Sequence, residues 1–351
     1  MAESVRGDWT RTLIENQGDA WEAAAAVAGP LPDGPVLFTG SGSSYYGALT
    51  AAGIGERLGL PVQARPAADI VTEPAVALAG VRTLVVVSRS GETTEALWAA
   101  RAATARGVGV VAATCHAERA LAGHADTVWA AESADDRTVV MIRSFTSLLV
   151  MLQTAVARTA DIADAPLESL QRAWAPWRDT VLHWMEEPRG AMPRRTVMLG
   201  SGVRWGIALE GTLKATEMSN QVAQAYVPLE YRHGPWGSLT EEDIVFVLAQ
   251  RATAAHDRRL VADLTRRTPH VVVIGPEGWD GGDEWDGGDG GGVGPAAPTV
   301  RCLTYPAYVS DLWAGPLVTM PLQAFSWWWA MASDRDPDAP QNLQPVVVLD
   351  A

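Results

Sequence analysis

The chain has 351 residues, 48% of them hydrophobic and 19% charged, with a formal net charge of −14; this length and balance point to two packed globular domains. So acidic a chain is a poor match for the phosphates of nucleic acid or for an anionic membrane. No apolar run reaches the roughly 18 residues that a membrane span needs, and the opening MAESVRGDWTRTL has no apolar core, so no signal peptide is expected and the cytoplasm is the expected compartment.

Residues 8–28 have the composition of a helix and end at the turn GPLPDGP. VLFTG (36–40) is a short β-rich run ending on glycine, and SGSSYYGALTAAGIGERLG reads as a small-residue turn opening a helix. TLVVVS (83–88) is a second strand running into the turn RSGET and a helix. VGVVAAT (108–114) and TVWAA (127–131) follow as strands. Continuous apolar runs alternating with helices are the pattern of parallel strands covered on both faces. Residues 143–163 and 165–185 then read as two long helices.

The pattern restarts at TVMLG (196–200), again a strand ending on glycine, followed by the turn and helix SGVRWGIALEGTLKATEMSNQ. DIVFVLAQ (243–250), HVVVIG (270–275) and TVRCLTY (299–305) are the next strands, and FSWWWAMA (325–332) reads as part of a buried helix. FTGSGSSYYGALTA and MLGSGVRWGIALEG are two copies of one strand–GSG–helix unit, so the chain reads as a tandem repeat of one α/β domain. Residues 277–298 are rich in Gly and Asp with little to bury and read as a disordered surface loop; their spacing fits no calcium loop. Cys115 and Cys302 lie far apart in apolar stretches and read as reduced, buried thiols.

Three segments carry chemistry. In SRSGET, Ser88, Ser90 and Thr93 supply hydroxyls at a strand end, Gly91 allows a tight turn, and a helix begins just beyond. Hydroxyls, open N–H groups and a helix dipole suit a dianionic phosphate monoester; a plain capped turn is the alternative. Arg89 either adds charge to such a site or points to solvent. GSGSS (40–44), with Gly42, Ser43 and Ser44, is a weak signal alone and has no P-loop lysine.

The chain's only lysine is Lys214, and Glu210, Lys214 and Glu217 lie at i, i+4 and i+7 on one helix face. A solvated ion pair is one reading. Leu209, Leu213 and Met218 around it favour another: a carboxylate base and the cation that tunes it, on a helix that follows a ligand-side turn. His233 stands before Gly-Pro in EYRHGPWGSL, either as a packed or surface residue or as an imidazole that can shuttle a proton near neutral pH.

Together GSGSSYYGA, SRSGETTEAL, RSFTS, LGSG, ALEGTLKATEMSNQVAQAY, EYRHGP and DPDAPQNL, in that order, resemble the SIS (sugar isomerase) family in its double-domain form. Within it they are most similar to the isomerase half of glucosamine-6-phosphate synthase and to aminosugar-phosphate deaminase/isomerases. The resemblance implies two tandem SIS domains, each a three-layer α/β/α sandwich of flavodoxin-like type with a parallel sheet. It divides the chain into an N-terminal helical segment 1–25, domains 26–165 and 166–335, and a tail 336–351. It implies a phosphate loop at Ser88, Arg89, Ser90 and Thr93, with arginine where the synthase has glutamine, and sugar contacts at Ser43 and Ser44. Glu217 matches the glutamate that moves the proton between C1 and C2, Lys214 and Glu210 match active-site neighbours, and His233 matches a ring-opening histidine. That histidine reaches into the partner subunit's site, so a homodimer is implied. The substrate implied is a phosphorylated sugar or aminosugar, with no cofactor and no metal.

Two departures qualify the resemblance. Pro345 stands where the synthases carry the tail lysine that forms a Schiff base, so imine catalysis from the tail is not expected. The synthases' glutaminase domain is not part of the sequence, so glutamine-derived ammonia is not expected either. Met141 stands where the synthase has a sugar-contacting serine, a feature of the deaminase-like branch.

Overall fold

A computed structural model of the protein describes residues 5–162, 165–187, 192–279 and 300–349. It divides into two compact units, one reaching Gln171 and including the tail from Asp336, the other spanning Arg172–Arg335. Most of the Gly/Asp-rich stretch, with the loop and calcium readings made for it, lies outside the described residues.

The first unit holds a parallel sheet of β1 (Val36–Gly40), β2 (Val62–Pro66), β3 (Thr83–Ser88), β4 (Gly109–Thr114) and β5 (Thr127–Ala130), in the order β2-β1-β3-β4-β5. The second holds β6 (Arg195–Leu199), β7 (Ala223–Tyr226), β8 (Asp243–Leu248), β9 (Val271–Pro276) and β10 (Arg301–Tyr305), in the order β7-β6-β8-β9-β10. Both follow the flavodoxin-like order, and both place a topological switch point between the first and third strands of the repeat. The fold is α/β with two tandem parallel sheets, as the sequence pattern indicates.

The middle strands are apolar on both faces because both faces are covered. Leu84 and Val86 of β3 pack with Ala96, Ala99, Ala100 and Ala103 of the helix Thr94–Thr104. Val85 and Val87 point the opposite way and are equally buried. In the second unit Val245 and Val247 of β8 meet Leu260, Val261 and Leu264 of the helix Ala254–Leu264. The Trp-rich segment 325–332 ends the helix Gly315–Ala332, with Phe325 and Trp329 fully buried.

Two strands do not announce themselves in the sequence. Both β2, VQARP, and β7, AQAY, are edge strands whose residues are mostly half-exposed. An edge needs no continuous apolar run, so the signal that marks the inner strands is missing there. Residues 8–28 also differ from the single helix expected. Helix Asp8–Glu15 and helix Trp21–Val27 are separated by a 3-10 turn, Gln17–Ala20, where the buried Gln17 side chain bonds the Ile14 carbonyl. Cys115 is buried as expected, whereas Cys302 is only partly buried on the edge strand β10.

The glycines that end β1 and β6 show why the repeated motif needs them. A Cβ on Gly40 would lie 2.8 Å from the Ser44 carbonyl carbon, and one on Gly200 would lie 2.5 Å from the Arg204 oxygen. Only glycine lets the incoming helix start so close to the strand end. No helix among the described residues is long and apolar enough to cross a membrane.

Candidate active site

The first unit brings the predicted phosphate-loop residues together at the carboxyl end of β3, beside the β1 turn. Gly42 (φ 54) precedes the helix Ser43–Arg57, which opens with the buried Ser43 and Ser44. Ser88 closes β3. Its hydroxyl accepts the Gly91 N–H at 3.1 Å, and the Ser90 hydroxyl accepts the Glu92 N–H at 3.2 Å. Each hydroxyl spends an acceptor on the loop and keeps its own proton to donate. Gly91 (φ +66) makes the turn; a side chain there would be strained and would press on Arg119 at 3.0 Å. Thr93 stands at the N-cap of the helix Thr94–Thr104 yet makes no capping hydrogen bond.

Arg89 does not point to solvent. It is buried, and its guanidinium donates to the Thr138 carbonyl at 2.7 Å and the Pro345 carbonyl at 2.9 Å. The C-terminal tail lies against the same loop. Val347 accepts the Thr94 N–H at 3.2 Å, and the Leu349 N–H reaches the Thr94 hydroxyl at 3.0 Å. A cavity of about 500 Å³ opens beside Ser90, walled by Trp9, Arg89, His116, Arg119 and Pro345 among others. Behind it the buried carboxylate of Asp136 accepts the N–H groups of Ile142 and Ser144, anchoring the start of the helix Arg143–Thr159. Burial raises the Asp136 pKa, against hydrogen bonds from Ser144 and Ile142 and the charge of Arg89. Thr94 escaped the sequence reading because it acts through Val347 and Leu349, distant in the chain, and the β-prone PVVVL at the tail was the one available signal; Asp136 bonds Ile142 and Ser144 close by, but through a loop that no regular spacing marks.

In the second unit the helix Trp205–Ser219 follows the second GSG turn and carries Glu210, Lys214 and Glu217. The structure joins all three. Lys214 Nζ makes a short contact with Glu217 Oε2 and lies 3.5 Å from Glu210 Oε1. Glu210 and Lys214 are buried, while the Glu217 carboxylate keeps 20% of its side chain exposed. Burial alone would lower the lysine pKa, but Glu210 and Glu217 outweigh it and raise it above the ordinary lysine value. The cluster is therefore an ammonium locked between a closed carboxylate and an open one, not the solvated pair. His233 sits exposed on the turn after the short helix Pro228–Tyr231, its backbone N–H bonded to Glu230. Among the described residues no hydrogen bond or ion pair joins its side chain to the Lys214 cluster.

The sheet order and the two GSG turns define a tandem α/β protein with flavodoxin-like sheets. Residues 34–158 match the family model of the SIS domain. It is 27% identical over 332 residues to the glutamine--fructose-6-phosphate aminotransferase (isomerizing) of Pyrobaculum aerophilum, covering 90% of this chain and 51% of that one. It is 29% identical over 321 residues to a proposed D-galactosamine-6-phosphate deaminase of Streptomyces coelicolor, covering 82% and 81%. The chain thus spans about half the length of the aminotransferases it matches and most of the deaminase. Among solved structures, the glucosamine-6-phosphate deaminase of Thermotoga maritima aligns over 97% of this chain and all of its own, with a TM-score of 0.80 and 25% identity. The tagatose-6-phosphate ketose/aldose isomerase of Escherichia coli shares the fold, with a TM-score of 0.75 at 23% identity.

Proposed function

We propose that the protein moves a proton between C1 and C2 of a hexose or hexosamine 6-phosphate, as an aldose–ketose isomerase or an aminosugar-phosphate deaminase. The observation that carries this reading is the Glu210–Lys214–Glu217 cluster, a buried cation beside a carboxylate that remains open to solvent. Its support is the similarity to deaminases of glucosamine and galactosamine 6-phosphate over most of both chains.

The hydroxyls of Ser88, Ser90 and Thr93 donate to the phosphoryl oxygens, and Ser43 and Ser44 face the sugar hydroxyls. Glu217 takes the C2 proton and returns it to C1. Lys214 stays protonated and stabilises negative charge on the enediol or enolamine oxygen. A protonated, buried lysine is a poor nucleophile, and Pro345 offers no amine, so acid–base transfer fits these residues where imine formation does not. Positioned acid–base groups of this kind contribute about 10²- to 10⁴-fold. Opening of the sugar ring falls to His233, whose exposure in its own unit suits a residue that serves the partner subunit of a cytoplasmic homodimer.

The test is turnover with glucosamine 6-phosphate, galactosamine 6-phosphate and fructose 6-phosphate in D₂O, read as ammonia release and as deuterium entering C1 or C2. Glu217→Gln is expected to cut both by about 10²- to 10⁴-fold and to bind the sugar phosphate much as before. Binding by the unaltered protein with no exchange and no ammonia would make it a non-catalytic phosphosugar sensor instead. Aminosugar synthesis from fructose 6-phosphate and free ammonia would identify an ammonia-dependent synthase subunit.

A further inference from the structure

We infer that Arg89 is a positioning residue that fastens the C-terminal tail across the phosphate loop, so that the tail, and not the guanidinium, meets the ligand. The inference rests on the phosphosugar reading above and deepens it. Arg89 follows Ser88 at the end of β3, in the middle of the loop where a phosphoryl group would bind. A cation there invites assignment as a phosphate ligand. Yet the side chain is buried, and its two terminal nitrogens are engaged with backbone carbonyls of Thr138 and Pro345.

The clamp does not act alone. Two residues beyond Pro345, the tail exchanges hydrogen bonds with Thr94, giving its Val347 carbonyl to the Thr94 N–H and its Leu349 N–H to the Thr94 hydroxyl. Three bonds over five tail residues hold the tail against the loop and the first turn of the helix that follows it. Nothing else in this stretch is strongly held, since Val347, Val348 and Leu349 are all exposed, Val348 by 70%. Apolar burial is therefore not what keeps the tail in place, and the hydrogen bonds are. The charge-assisted bond from Arg89 is the strongest kind among them. It also ties the tail to residue 138, so one side chain couples three separate segments around Ser90.

Proline at 345 suits this arrangement. Its carbonyl accepts from Arg89 while its missing N–H leaves no unsatisfied donor in the clamp. The tail therefore contributes shape and a fixed wall, in place of a reactive side chain.

The experiment compares Arg89→Gln and Arg89→Lys with the unaltered full chain. Hydrogen exchange of the peptides covering 343–349 and 90–96 is read first, without ligand. Arg89→Gln should speed exchange of the tail amides and of Thr94 by about tenfold or more, because a charge-assisted bond is lost. Arg89→Lys, which keeps the charge on a single donor group, should restore part of the protection. Inorganic phosphate and glucosamine 6-phosphate are then titrated. Arg89→Gln should weaken the sugar phosphate by about tenfold and inorganic phosphate by less than about twofold, since the clamp shapes the site without touching the anion. In turnover the loss should fall on KM more than on kcat. Unchanged exchange in the Gln variant would refute the clamp, and an equal loss for phosphate and sugar phosphate would make Arg89 a direct ligand. If the unaltered protein binds neither compound, the phosphosugar reading fails while the exchange result still decides the clamp.

Discussion

The two halves of the molecule are one design used for two purposes. Gly40 to Thr104 and Gly200 to Leu264 run in step, with strand, glycine turn and helix at matching positions. At the carboxyl end of the first sheet the matched positions are small and hydroxylated: Ser44, Ser90, Gly91. At the second they are Arg204, Gln250 and Arg251. The second crevice is filled from within. Arg204 is fully buried, donates to the Tyr305 hydroxyl at 2.8 Å, and Tyr305 in turn donates to Asp311 at 2.6 Å. Along the helix after each glycine turn the contrast reverses. Glu210, Lys214 and Glu217 in the second half occupy the places of Thr50, Ile54 and Arg57 in the first. The two halves thus share one sheet order, with small donors at the first switch point and, in the second half, bulky side chains at the switch point and an ionisable cluster on the helix.

The largest effect on stability is expected from undoing that helix chemistry. In Lys214→Met the carboxylates of Glu210 and Glu217 lose the cation between them, and Glu210 is left charged in a closed site. Breaking a buried pair in this way costs about 3–5 kcal/mol, measured by urea unfolding at pH 7. The lysine pKa is raised in the folded state. Its stabilisation is therefore complete below the unfolded lysine value near 10.4 and is lost as pH climbs through the higher folded value. The difference between the two proteins should hold through neutral pH and shrink only above about pH 10.5. A loss under about 1 kcal/mol would mean that the cluster is a solvated pair after all.

This asymmetry also decides what could be read from the chain itself. The inner strands were legible because burial on both faces forces continuous apolar runs, and the duplication was legible because the glycine turns repeat. The edge strands β2 and β7 carry no such constraint. The Lys214 triad was visible through its helical spacing, since its three members share one face of one element. Arg89 was visible only as a residue type. Its partners, Thr138 and Pro345, stand 49 and 256 positions away, and no local pattern encodes a bond of that reach.

A second difference lies at the opposite end of the sheets. Arg195 and Asp243 open β6 and β8 in register and pair at 2.7 Å, where the first half has Pro35 and Thr83. Burial would raise the Asp243 pKa, but hydrogen bonds from Arg195, the Thr240 N–H and Arg194 overcome it and leave the pKa below the ordinary value. Arg195→Ala should cost about 2–3 kcal/mol at pH 7, because Arg194 remains to cover part of the charge. A carboxyl with a depressed folded pKa stabilises above the unfolded value near 3.9 and loses that contribution as pH falls through the folded one. The gap between variant and unaltered protein should therefore close below about pH 4. A gap that stays constant to pH 2.5 would assign the cost to packing and not to charge.

The smallest effect is expected at the residue that most clearly marks the second crevice as filled. Arg204→Met removes a buried guanidinium whose Nε and Nη1 make no hydrogen bond among the described residues, and puts a flexible apolar chain in the space. Asp311 keeps the Arg251 side chain at 2.9 Å, the Arg251 N–H at 2.7 Å and the Tyr305 hydroxyl. No charge is stranded, so stability should change by no more than about 1 kcal/mol in either direction. The charge balance around Tyr305 supplies a separate readout. Burial pushes its pKa up to about 12, with Asp311 adding to the rise and the cations of Arg204 and Arg251 opposing it. Taking away Arg204 should move the tyrosinate absorbance change to still higher pH. Phosphosugar binding should be unaffected, since Arg204 is buried and bonded to Tyr305; a variant that stays folded but loses the sugar phosphate would show that the second switch point is also a ligand site.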